Sequence, residues 1–225
     1  MMFQVCIHGR GGQGVVTASA MLAQAGFAGG HQVQATPSFG SERTGAPVVA
    51  YTRFSDAPIR TREPIIVPDA VIIQDPTLLR SINPFQGMAQ DGWAVVNTRE
   101  SPDEVREGSP DAPSAKGHLA TVPADDIVRE YLGRPIPSCA LLGAFAALTG
   151  SIKLDAVADA INRKFKGKVA SGNIKSAEVA FQWVKDHAGH EDIGAPNGIE
   201  HVAADLPSEE EMPAPIIGTP EVVNA

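Results

Sequence analysis

The apolar positions of this chain switch repeatedly between a strand-like and a helix-like spacing. Phe3 to His8 predicts a first strand, and Val15 to Ala28, rich in Ala, Met and Leu, predicts a helix closed by Gly29-Gly30. His31 to Thr36 and Pro47 to Phe54 have strand composition, the latter ending at the turn Ser55-Asp-Ala-Pro58, and suggest a second edge or a hairpin. Ala70 to Gln74 and Trp93 to Asn97 are short, continuously apolar runs, as expected of sheet strands covered on both faces. Thr98 to Gly117 reads as a polar, Pro-rich excursion, Ala120 to Ala124 as a return to the sheet and Asp125 to Leu132 as a short helix.

Ser138 to Leu148 is apolar nearly all round and predicts a buried helix. Leu154, Val157, Ala158, Ile161 and Phe165 recur at helical spacing, as do Ile174, Ala177, Phe181 and Val184, predicting two surface helices joined by Lys164-Phe-Lys-Gly-Lys168. The pattern is α/β. Past Lys185 it stops, which divides the chain into an α/β domain over 1–186 and a Pro-containing tail over 187–225.

Composition sharpens that division. The 225 residues carry 18 Lys and Arg against 26 Asp and Glu, and eight of those acids lie between His187 and Ala225, where no Lys or Arg occurs. The body is therefore neutral and the tail acidic, which leaves no basic footprint for nucleic acid or an anionic membrane surface. The longest apolar run, Ala140 to Leu148 interrupted by Gly143, is about half of the roughly 20 residues of a membrane span. Cys6 and Cys139 are the only cysteines, each in an apolar stretch, too few to ligate an iron–sulfur cluster alone. With no basic lead-in or long apolar leader at the start, the sequence predicts a cytoplasmic protein.

Two segments concentrate candidate chemistry. Gly9, Gly11 and Gly14 fit G-x-G-x-x-G between a strand and a helix, where free backbone N–H groups and the helix dipole can face a phosphate. The carboxylate that an NAD site needs about 20 residues on is missing, because Gly14 to Gly40 contains neither Asp nor Glu. The glycines then serve either close helix–strand packing or a phosphate or pyrophosphate of another cofactor. Pro37 to Ala46 holds Ser41, Glu42, Arg43 and Thr44 among glycines, suiting an anionic ligand or a subunit contact, with Arg43 able to grip a carboxylate or phosphate. His8, Asp75 and the Lys164, Lys166, Lys168 group are weaker candidates, read first as a core histidine, an Asp-Pro turn and a solvated helix end. No metal-site or nucleophile motif is present, and the chain has no evident catalytic constellation of its own.

Taken together, Ile7-His-Gly-Arg-Gly-Gly-Gln-Gly-Val15, Pro37-Ser-Phe-Gly-Ser-Glu-Arg-Thr-Gly-Ala-Pro47 and Lys164-Phe-Lys-Gly-Lys-Val-Ala-Ser-Gly-Asn-Ile174 resemble the gamma subunit of 2-oxoacid:acceptor oxidoreductases, the pyruvate:ferredoxin oxidoreductase type, over about residues 3 to 184. The resemblance implies a three-layer α/β/α, Rossmann-like domain with a mostly parallel sheet. It implies alpha and beta partner subunits that form a thiamine diphosphate site, a ferredoxin-like iron–sulfur subunit, and oxidative decarboxylation of a 2-oxoacid, pyruvate or an aromatic one such as phenylglyoxylate, to acyl-CoA and CO2. For this chain it implies binding and gating. Gly11, Gly12, Gln13 and Gly14 would face the coenzyme A phosphates or the alpha–beta active site, with Arg43 touching the ligand or a neighbouring subunit, and Ser41, Glu42, Arg43 and Thr44 would form the loop closing on the site. Near Ile136-Pro-Ser-Cys-Ala-Leu-Leu-Gly143 the chain departs from the family pattern, offering Ser138 and Cys139 where many members carry an Asn before the apolar helix. A free-standing NAD(P)-binding oxidoreductase and a purely structural adaptor are the competing expectations.

Overall fold

A computed structural model describes residues 2–37, 45–115, 118–133 and 136–187. Six strands, β1 (Met2–Arg10), β2 (Gln32–Pro37), β3 (Pro47–Ser55), β4 (Ala70–Ile73), β5 (Trp93–Asn97) and β6 (Leu119–Val122), form one sheet in the order β2-β3-β1-β4-β5-β6. β1, β4, β5 and β6 run parallel, and β3 is inserted antiparallel between β1 and β2. The expected hairpin is therefore β2–β3, with Thr36 opposite Tyr51.

Pleating explains why β4 and β5 are apolar throughout. Ala70 and Ile72 with Trp93 and Val95 belong to one core, and Val71 and Ile73 with Ala94 and Val96 to a second core on the opposite face. The first face is covered by α1 (Val15–Ala28), α4 (Ala124–Leu132), α5 (Ser138–Thr149), α6 (Leu154–Lys164) and α7 (Gly167–His187). The second is covered more thinly, by the one-turn α2 (Leu78–Ser81), by α3 (Pro102–Gly108) and by irregular chain that inserts Ile65, Phe85, Met88 and Ala112. α5 is buried at all twelve positions, which is why it shows no amphipathic period. It lies so close to α7 that a Cβ on Gly143 would sit 2.1 Å from the carbonyl oxygen of Ala177.

Three boundaries differ from expectation. α3 lies inside the stretch read as an excursion, started by a capping box in which Ser101 and Glu104 satisfy each other's backbone N–H, with Pro102 following. β6 begins at Leu119 and α4 at Ala124, one residue earlier than read in each case. α7 begins at Gly167, well before the first apolar position of its periodic stretch, so only Phe165 and Lys166 separate it from α6. Packing of Ala170 and Ala177 on the buried side of α7 outweighs the poor helix propensity of Gly172 and Asn173. The acidic tail lies outside the described residues, and no described helix is long and apolar enough to cross a membrane.

Candidate functional site

β1 ends at Arg10 and α1 begins at Val15, so the glycine loop occupies the carboxyl edge of the sheet, where open α/β sheets bind ligands. Gly14 is the N-cap of α1 with φ 78°, Gly12 has φ 96°, and both are left-handed conformations that side chains resist. No side chain caps α1 and no acid lies in its first turn, leaving its first N–H groups open to an anion. The two sequence readings of the glycines divide between positions. A Cβ on Gly9 would lie 2.6 Å from Val15 Cγ2, so Gly9 serves helix–strand packing, while a Cβ on Gly12 would meet nothing within 4 Å.

The side chain of Gln13 is turned into the protein. Its Oε1 accepts the N–H of Arg10 at 2.7 Å and its Nε2 donates to Asp75 Oδ2 at 2.8 Å, so the loop offers backbone outward at this position. Arg10 Nε pairs with Asp75 Oδ2 at 3.2 Å, and its Nη1 donates to the carbonyl of Gly45 at 3.0 Å. Gly11 adds a backbone pair, donating to Ala46 O and accepting from Gly45 N. The root of the second motif is thus fastened to the first, while Ser41, Glu42, Arg43 and Thr44 themselves lie outside the described residues. Asp75 is held below its usual carboxylate range: burial opposes ionisation, but hydrogen bonds from Thr77 and Gln13 and the charge of Arg10 outweigh it. His8, half-buried on the second face, is pushed down to about 4 by burial and is neutral at pH 7.

The third motif also reaches the loop. Gly12, Gly14, Ser138, Lys164, Phe165 and Asn173 share the lining of a cavity of about 320 Å³ at the mouth of α1. Lys164, read from sequence as a solvated helix end, therefore lines the same cavity as the loop, whereas Lys166, just past α6, donates to the carbonyl of Asn162. Ser138 stitches α5 to the loop, donating to the carbonyl of Gln13 at 2.9 Å and lying 3.3 Å from Gln74 Nε2. Among the described residues no group of His, Cys, Asp or Glu could hold a metal ion, and Cys6 and Cys139 are each buried and separate. These residues do not fit an iron–sulfur cluster.

Fold and site together define an α/β domain whose glycine loop leaves an uncapped helix N-terminus at the carboxyl edge of the sheet. The chain belongs to the pyruvate ferredoxin/flavodoxin oxidoreductase family, whose pattern matches residues 4–183, and it is a gamma-type subunit of that family. It is 47% identical over 180 residues to the common subunit gamma of the pyruvate/ketoisovalerate oxidoreductases of Thermococcus kodakarensis, covering 80% of this chain and 96% of that one. It is 44% identical over 180 residues to pyruvate synthase subunit PorC of Methanocaldococcus jannaschii, with the same coverage. The crystal structure of pyruvate oxidoreductase subunit PORC from Thermotoga maritima superimposes with a TM-score of 0.71 at 34% identity, over 80% of this chain and 96% of that one. The fold also recurs at 18% identity and a TM-score of 0.61 within 2-oxoglutarate:ferredoxin oxidoreductase of Magnetococcus marinus, solved with 2-oxoglutarate, coenzyme A and succinyl-CoA bound, over 87% of this chain and 32% of that one.

Proposed function

We propose that this gamma subunit contributes the coenzyme A side of a 2-oxoacid oxidoreductase. Its alpha and beta partners hold thiamine diphosphate, and a ferredoxin-like subunit carries iron–sulfur clusters. The complex converts a 2-oxoacid, with pyruvate the first candidate and an aromatic acid such as phenylglyoxylate the next, and coenzyme A to acyl-CoA and CO2. Two electrons pass to the acceptor. In this chain the backbone of Gly11 to Gly14 and the ammonium of Lys164 receive the coenzyme A phosphates, and the loop bearing Ser41, Glu42, Arg43 and Thr44 closes over them.

The observation that carries this reading is the convergence of an uncapped helix N-terminus, the open Gly12 and Lys164 on one cavity. That combination suits a phosphate and leaves the acyl chemistry to partners. A dinucleotide reading fares worse in this topology as well as in sequence. The strand following α1 is β2, which stands two places from β1 with β3 between, so its end is remote from the ribose position of a Rossmann site.

The test is steady-state kinetics of the purified complex carrying Gly12→Asp, which places a carboxylate where a phosphate would sit. KM for coenzyme A is expected to rise at least tenfold with KM for the 2-oxoacid unchanged, the factor that about 1.4 kcal/mol gives. An assembled complex with unaltered coenzyme A dependence would leave the chain a structural adaptor.

A further inference from the structure

We propose that Asp75 is a positioning residue: its carboxylate locks the glycine loop to the root of the 38–44 loop and thereby sets the affinity of the anion site for its ligand. The ligand clause rests on the coenzyme A reading above; the lock itself does not.

β1 and β4 are parallel neighbours, yet α1 leaves β1 toward the first face of the sheet and α2 leaves β4 toward the second. A crevice opens between the carboxyl ends of two such strands. Asp75, the second residue beyond β4, spans it with a side chain only 12% exposed. Oδ2 accepts from Gln13 Nε2 at 2.8 Å and forms an ion pair with Arg10 Nε at 3.2 Å, whose N–H donates to the Thr77 hydroxyl at 3.2 Å. Oδ1 takes the Thr77 N–H at 3.0 Å and the Thr77 hydroxyl from its own side. The Thr77 hydroxyl in turn accepts from Arg10 Nη2 at 2.7 Å, and Arg10 Nη1 reaches Gly45 O at 3.0 Å.

One carboxylate therefore orients both side chains that shape the loop. Gln13 fixes the backbone of Arg10 through Oε1, and Arg10 fixes Gly45, the first described residue after 38–44. Beside an anion site a carboxylate is electrostatically unfavourable, so its presence is explained by geometry, with Arg10 neutralising it. An amide in the same place would turn either a donor toward Gln13 and Arg10 or a neutral oxygen in place of a charged one, and the lock weakens in both cases.

The experiment uses the whole complex with Asp75→Asn, Thr77→Val and Thr77→Ser. In Asp75→Asn, amide hydrogen exchange is expected to quicken in segments 9–14 and 45–49. KM for coenzyme A should rise about tenfold, the size of one charged hydrogen bond, while cluster reduction by the 2-oxoacid alone stays within about twofold. Thr77→Val should act in the same direction and more weakly, and Thr77→Ser, which keeps the hydroxyl, should match the wild type. If Asp75→Asn does not assemble, the valine and serine pair carries the test. Unchanged exchange in both segments, or a serine variant as impaired as the valine one, overturns the lock. Faster exchange with unchanged KM for coenzyme A upholds the lock and overturns the coenzyme A reading instead.

Discussion

Ser138 Oγ donates to the carbonyl oxygen of Gln13 at 2.9 Å, joining the first residue of α5 to a loop that precedes it by 125 positions. The same oxygen lies 3.0 Å from where a Cβ on Gly14 would sit and 3.3 Å from Gln74 Nε2, and the Gln74 Oε1 already lacks a partner among the described residues. Ser138→Ala removes the loop contact and leaves a buried amide wholly unpaired. The expected cost is about 1–3 kcal/mol in a denaturant titration. A variant as stable as the wild type would mean that a water replaces the hydroxyl.

Lys164 and Lys166 separate a ligand contact from a general field effect. Lys164 lines the cavity with Gly12 and Gly14, whereas Lys166 is engaged with Asn162 O. In the complex, Lys164→Ala is expected to raise KM for coenzyme A by about three- to tenfold, the loss of one charge-assisted contact, and Lys166→Ala to leave it unchanged. Equal effects of the two would point to charge at a distance.

Gly143→Ala tests the close approach of α5 to α7. Its methyl would sit 2.1 Å from the Ala177 carbonyl oxygen, a backbone atom that cannot swing aside. Separating α5 from α7 is expected to destabilise the chain by about 1–3 kcal/mol or more, or to abolish soluble expression. A thermal melt of the purified variant decides it.

His8 gives stability a defined pH dependence. Its imidazole is pushed down from 6.5 to about 4 by burial, so between those values the unfolded chain holds a proton that the folded chain does not. Stability is therefore lost as pH falls from about 6.5 toward 4, by up to about 3 kcal/mol from this group. His8→Gln cannot protonate, and the difference between its urea midpoints at pH 7 and pH 4.5 should be smaller than that of the wild type.

Cys6 and Cys139 should be inert while the chain is folded. Burial pushes each thiol up to about 12, with Arg53 opposing the rise at Cys6 only in part. The thiolate is the reactive form. Iodoacetamide at pH 8 should label neither cysteine in the native protein and both in urea, as read by mass spectrometry.

Much of the fold was legible because its determinants are local or periodic. β4, β5 and α1 announce themselves by apolar runs and helix-forming residues, and α5 by being apolar on every side. α3 was missed: the Ser101-Pro-Asp-Glu104 capping pattern lies inside a stretch read as an excursion, because a helix with only Val105 buried shows no apolar period. The β3 insertion between β1 and β2 was not legible, since pairing order depends on contacts between distant strands. At the site, the glycine loop declares itself by residue type alone. The importance of Asp75 and Lys164 arises only when β4 and the end of α6 are brought to it, and each has an ordinary reading in isolation as a turn or a solvated charge. Gln13 shows the converse: it sits in the motif, yet its side chain faces inward.

The order in which the layers are made has a consequence for synthesis. Most of the cover over the first face of the sheet comes from α5, α6 and α7, all beyond residue 137, while β1, β4 and β5 are complete by Asn97. A nascent chain paused after β6 carries a sheet whose apolar side is shielded by α1 alone, and a fragment ending there would seek that shielding from other molecules. The ribosome must deliver roughly the last quarter of the domain before that face of the sheet can be buried. Any chaperone, fusion or split-protein strategy for this subunit has to treat residues 138–187 as the clasp that closes the sheet.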